Sequence, residues 1–191
     1  TDDADATYAH LQSVGFDGAP PRAFHRPVDL HGETRDAKFR TVTVRSEVFL
    51  GGRVYFCEHG TPELVWRPEW QAQTNATVSI PEFVVASSTP DREAKDFAKL
   101  LNGENEKNQV AFDGGAVTVL SEAQYGERYG ALTSSLDGRV SIFGALVFRT
   151  TDRDALNNML NVGIDGAESQ IEGVRTLVRV SQFDALIEFI D

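Results

Sequence analysis

The 191 residues carry 29 acidic against 18 basic side chains, a formal net charge of −11, which argues against a nucleic-acid partner because phosphate backbones call for a basic face. Hydrophobic residues make up 41% and charged residues 25%, as in an ordinary globular chain long enough to bury one large core or two small ones. No apolar run reaches membrane-spanning length, no signal-peptide pattern opens the chain, and the single cysteine, Cys57, excludes an internal disulfide and leaves the cytoplasm as the default compartment.

In chain order, the first element is a helix starting at Thr1-Asp2-Asp3-Ala4-Asp5 and stopping at Gly15. Thr1 is placed to cap it through its hydroxyl, and the acids of the first turn suit the positive end of the helix dipole. The chain begins directly in this pattern without Met, so a preceding segment is expected. Arg26–Leu30, flanked by His25 and His31, reads as a loop ahead of a strand. His10 is expected to face solvent. Strands are expected at Phe39–Arg45 and Arg53–Cys57, with Gly51-Gly52 as the hairpin turn between them.

The helix start recurs twice, at Thr89-Pro90-Asp91-Arg92-Glu93 and Thr151-Asp152-Arg153-Asp154-Ala155, with glycine stops at Gly103 and Gly163. Each later copy follows a run rich in β formers, Val78–Ala86 and Val140–Phe148, and precedes further strands: Val110–Phe112 and Ala116–Leu120 around Gly114-Gly115, then Val174–Val180 and Ala185–Ile190. Asn102–Asn108 reads as a mobile polar loop. The periodicity therefore gives an α+β fold of repeated βαβββ units. Residues 1–75 would be one unit lacking its opening strand, and residues 76–191 a complete module of two. An odd number of units points to a fragment, a displaced strand or completion by another chain, and makes a homodimer plausible.

The chemistry concentrates in Tyr55–Asn75, which holds Cys57, Glu58, His59 and both tryptophans, Trp66 and Trp70. Aromatic surface beside a carboxylate, an imidazole and the Arg67 guanidinium suits a small-molecule pocket. The plain alternative is a packed turn between strands, and Cys57 reads as core because no activating partner accompanies it.

The run Cys57–Gln71, CEHGTPELVWRPEWQ, followed by Asn75, resembles a signature of glyoxalase-like proteins in the vicinal-oxygen-chelate superfamily. Most of the chain fits the resemblance. It implies curved, half-open mixed sheets around a cavity, a small-molecule ligand, and in some members lyase or dioxygenase chemistry on vicinal oxygens. Trp66, Arg67, Trp70 and Gln73 would line the ligand, Gln73 standing where relatives carry His. Metal-using members place His and Glu ligands on the first and last strands of each unit, around a divalent Mn, Fe, Ni or Zn that polarises substrate oxygens. The resemblance carries this role to Glu188, Glu58 with His59, and Glu82. The 76–191 module then offers two carboxylates and no imidazole, a set suited at most to weak Mg or Mn binding. Glu188 can equally be a carboxylate in water or paired with Arg175 or Arg179. A second reading is a non-catalytic small-molecule binder without metal. A third is a structural domain of a larger two-module protein.

Overall fold

The computed structural model describes residues 1–71 and 73–191. It divides into two compact units, Thr1–Gln71 and Ala72–Asp191. The architecture is α+β: a helix with a three-stranded antiparallel sheet in the first unit, and two βαβββ repeats in one open mixed sheet in the second.

The first unit opens with helix α1 (Ala4–Val14). Its cap is Asp3 rather than Thr1: the Asp3 carboxylate accepts from the N–H groups of Asp5 and Ala6, both at 2.9 Å. An ionised acceptor at this position also gains from the helix dipole. Gly15 ends the helix at φ 73°, as its left-handed freedom allows. The expected loop between His25 and His31 is instead strand β1 (Arg22–Leu30), paired antiparallel with β2 (Glu33–Thr43). The turn between them is His31-Gly32, with φ 56° and 94°. Two positive φ values in a two-residue loop match the twist of a hairpin, and the Asp29 carboxylate accepts the Gly32 N–H at 2.9 Å. Strand β3 (Tyr55–His59) completes a three-stranded sheet in the order β1-β2-β3. Gly51-Gly52 lies in a longer connection between Val44 and Val54, whose backbones bond at 3.1 Å. A short 3-10 turn at Pro62–Leu64 and the one-turn helix α2 (Pro68–Gln71) follow.

The second unit is an eight-stranded sheet that repeats itself. Its first half runs β4 (Thr77–Ser87), α3 (Pro90–Leu101), β5 (Asn105–Glu106), β6 (Gln109–Phe112), β7 (Gly115–Ser121). Helix α4 (Glu122–Tyr129) links it to the second half: β8 (Ser141–Thr150), α5 (Arg153–Asn161), β9 (Ala167–Glu172), β10 (Arg175–Val180), β11 (Ala185–Ile190). The spatial order is β5-β6-β7-β4-β8-β11-β10-β9. The opening strands β4 and β8 lie antiparallel at the centre, and each runs parallel to the last strand of its own half, β7 and β11.

The repeated helix starts differ in detail from their sequence pattern. Asp152, not Thr151, caps α5 by accepting from the Ala155 N–H at 2.9 Å. Thr89 holds the cap position of α3 without a side-chain bond, and its own N–H is taken by the Ser87 hydroxyl. Asn102 rather than Gly103 takes the left-handed stop of α3 at φ 51°. Asn102–Asn108 is not a plain loop but contains β5 and a tight turn at Lys107-Asn108, both at positive φ.

Side chains alternate across a sheet, so each strand feeds two layers. Helices α3 and α5 cover one face: Phe97 and Leu100 of α3 are buried, and Leu156 of α5 clusters with Val178 and Phe189. On the other face, here the inner one, Val84, Ala86, Ala145, Val147, Leu177 and Leu186 meet Tyr125, Tyr129, Leu132 and Leu136. The inner face is therefore covered by α4 and the residues after it. Tyr125 lies so close to β8 that only glycine fits at 144: an added Cβ would stand 2.8 Å from the Tyr125 ring.

Candidate functional site

In the first unit, register decides what the Glu58-His59 pair can do. Arg40 pairs with Glu58, and Phe39 with His59. Neighbours on a strand point to opposite faces. Glu58 accordingly turns to the helix side, where one carboxylate oxygen accepts the Ala4 N–H at 2.7 Å. Arg40 reaches the same oxygen at 3.5 Å and Asp5 at 2.8 Å. The carboxylate thus satisfies an otherwise orphaned donor in the first turn of α1. His59 turns to the other face, where it stacks on Trp66 with centroids 5.4 Å apart. As neighbours facing opposite ways, the two do not form a joint ligand set.

On the His59 face an aromatic row crosses the whole sheet. Phe24 stacks on Phe39 at 5.1 Å, Phe39 meets His59 edge-on at 5.2 Å, and His59 lies flat on Trp66. The His59 Nδ1 is buried with no hydrogen-bond partner among the described residues. Trp66 remains 59% exposed, so its second ring face is open. A recess of about 440 Å³ is lined by Thr1, Asp2, Cys57, His59, Pro62 and Trp66. Cys57 is half-buried rather than core, and burial pushes its thiol up, which keeps it a poor nucleophile. A second recess of about 480 Å³, mainly apolar, is lined by Ala23 and by Phe24 and Phe39 of the aromatic row, with Asp36, Lys38, Arg40 and Glu58 beside them.

The remaining residues expected to line a ligand are placed differently. Arg67 is held by the Glu69 carboxylate and stacks over the Trp70 ring at 5.3 Å, so its guanidinium is already engaged. Trp70 is 49% exposed. Gln73 is exposed at the start of the second unit. His10 is half-buried rather than fully solvent-facing.

In the second unit, Glu82 and Glu188 do come together. Glu82 pairs with Val147 and Val147 with Glu188, so the two carboxylates share one row and one face with a single strand between them. Arg128 of α4 lies between them. Its two terminal nitrogens donate to the two oxygens of Glu82, both at 2.9 Å, and one also donates to Glu188 at 2.8 Å. Tyr129 donates its hydroxyl to the same Glu188 oxygen at 2.8 Å, and Arg175 reaches the other at 3.4 Å. Glu188 is 4% exposed. Burial pushes the Glu82 carboxyl up, but the bonds from Arg128 and Thr118 outweigh it and leave it below the ordinary carboxylate range. Burial likewise opposes the Arg128 charge, and Glu82 with its neighbours overcomes this to hold the guanidinium above its usual value. Tyr129 is pushed up chiefly by burial, so it donates rather than ionises.

As they stand, these donors do not fit a divalent ion. A cation already bridges both carboxylates, and among the described residues no cluster of three or more His, Cys, Asp or Glu forms a metal cage. Arg128 and Tyr129 were not singled out by the chain pattern. The available signal was Ser121-x-x-Gln124, a reciprocal cap in which Ser121 and Gln124 exchange bonds of 2.9 and 3.2 Å and so start α4.

No helix among the described residues is long and apolar enough to cross a membrane. A family model described as a glyoxalase-like domain matches residues 1–101. No curated protein matches the chain. Among solved structures, a hypothetical protein from Staphylococcus aureus is similar with a TM-score of 0.59 and 12% identity, over 99% of this chain and 62% of that one. The chain thus spans less than two thirds of that protein's length, and the likeness concerns the fold alone. Methylmalonyl-CoA epimerase from Mycobacterium tuberculosis aligns over 62% of this chain and 91% of its own, with a TM-score of 0.45 and 14% identity. With a family match spanning more than half its length, the chain belongs to the glyoxalase-like domain family.

Proposed function

We propose that this glyoxalase-like protein binds a small planar aromatic molecule with polar substituents on the aromatic face of its first unit, without a resident metal. The observation that carries the reading is the row Phe24, Phe39, His59 and Trp66, which ends in an open indole face beside a recess of about 440 Å³. Stacking on a preformed aromatic surface favours rigid aromatic ligands, and Thr1 and Asp2 at the recess favour polar groups on their rim. The metal-dependent lyase or dioxygenase reading draws on Glu188 with Glu82, or on Glu58 with His59. It has less support, because the first pair is bridged by a guanidinium and the second faces two ways. A cytoplasmic setting and a homodimer belong to the same proposal, the latter checked by sedimentation.

The test is a fluorescence titration with a panel of planar aromatic compounds on the Trp70→Phe variant, which leaves Trp66 as the only indole. A saturable quench with a matching thermal stabilisation supports the reading, and Trp66→Ala should remove both. A panel without effect, or stabilisation that survives Trp66→Ala, would overturn it.

A further inference from the structure

We infer that Arg128 is the built-in cation of the second unit, and that α4 with the residues up to Leu136 is the permanent occupant of that unit's inner face. Four hydrogen bonds hold this segment there. Tyr125 donates to the Gly144 carbonyl at 2.8 Å, across a contact that excludes any side chain at 144. Arg175 and Arg179 reach from β10 to the carbonyls of Arg128 and Leu132 at 2.8 and 2.7 Å. Ser134 is tied to the Asp184 carboxylate at 2.8 Å. Leu132 and Leu136 then close the apolar layer against Leu177 and Leu186.

This geometry delivers one positive charge between two carboxylates that sit on the opening and closing strands. Two carboxylates in one row, Glu188 buried and Glu82 half-buried, would repel each other unless a cation or a proton came between them. The guanidinium answers that need with a fork on Glu82 and a third bond to Glu188, a pattern a lysine cannot reproduce. Glu82, Glu188 and the Tyr129 hydroxyl are all oxygen donors, the set a hard divalent ion would use if the guanidinium were gone. The Arg128 side chain is 25% exposed, so the position has a path to solvent. The cation position is therefore real, and the chain fills it with its own helix.

The experiment compares wild type, Arg128→Ala and Arg128→Lys by thermal melting and by electron paramagnetic resonance of free Mn²⁺. Wild type should take up no Mn²⁺ through this row, and its Tm should be indifferent to Mn²⁺ and to chelator. Arg128→Ala should melt lower in chelator, recover several degrees in millimolar Mn²⁺, and lose that recovery when Glu188→Gln is added. Arg128→Lys should melt between the two and ignore Mn²⁺, which keeps the idea testable if the alanine variant does not fold. Mn²⁺ uptake by wild type that Glu82→Gln or Glu188→Gln abolishes would overturn the inference. So would an Arg128→Ala protein that is as stable as wild type in chelator, or one that folds and is indifferent to Mn²⁺, or a lysine variant that gains stability from Mn²⁺. None of these outcomes depends on the ligand proposed for the first unit.

Discussion

Tyr129→Phe removes one oxygen and leaves the ring, so it isolates a single bond in the buried cluster. The hydroxyl donates at 2.8 Å to a Glu188 oxygen that also accepts from Arg128 at 2.8 Å. A hydrogen bond to a charged group contributes about 1.5–3 kcal/mol. Because Arg128 and the more distant Arg175 stay in place, the low part of that range applies, about 2 kcal/mol. For a unit of this size the loss corresponds to a fall in Tm of roughly 6 °C. The assay is urea unfolding of the full chain in a double-mutant cycle with Glu188→Gln. If the Tyr129 bond draws its strength from the Glu188 charge, the two changes couple by about 1 kcal/mol or more. Additivity of the two single changes would refute the reasoning and leave Tyr129 a packing residue alone.

Acid should weaken the second unit through Glu82. Its folded carboxyl lies below the unfolded value, so its contribution is complete above that value and is lost as pH falls through the folded one. Glu82→Gln should cost about 1–2 kcal/mol near neutrality and flatten the acid side of the stability profile below the carboxylate range, as read from urea midpoints across pH; an unchanged acid limb would count against it. In the first unit, Glu58→Ala should loosen the start of α1 by about 1 kcal/mol, the size of a lost N-terminal cap. Faster amide exchange at Ala4, with no change in any ligand binding at Trp66, is the expected readout.

The fold was legible in the chain because three levels agreed. The Thr/Asp helix starts, the β-rich runs ahead of the second and third, and the strand pairs behind them all repeat. Where single residues were misplaced, a neighbour with better chemistry had won. Asp3 and Asp152 accept hydrogen bonds with a full charge, whereas Thr1 and Thr151 offer only a hydroxyl. Arg26–Leu30 reads as a loop in the sequence but is strand in the structure, because β1 is an edge, where Pro27 is tolerated. Helix α4 escaped because it is eight residues long, mostly polar, and carries Gly126; its tyrosines make sense only once the inner face of the sheet is there to receive them.

The candidate site was harder because adjacency in sequence and adjacency in space part company on a strand. Glu58 and His59 look like one constellation in the chain, yet a period of two sends one to the helix and the other to the aromatic row. Glu82 and Glu188 are over a hundred positions apart and share one face, because the parallel pairing of β11 with β8 and the antiparallel pairing of β8 with β4 align their rows. Nothing in either local pattern specifies what lies between them. That is decided by Arg128, which belongs to neither repeat but to the link joining them. A scaffold whose halves each supply a carboxylate needs a positive charge at the seam, and the nature of that charge decides the chemistry. A divalent ion would leave positions open for substrate oxygens, whereas a tethered guanidinium spends its donors on the scaffold itself. On the inference drawn for Arg128, this chain closes the seam as a structural core with one arginine on a short connecting helix.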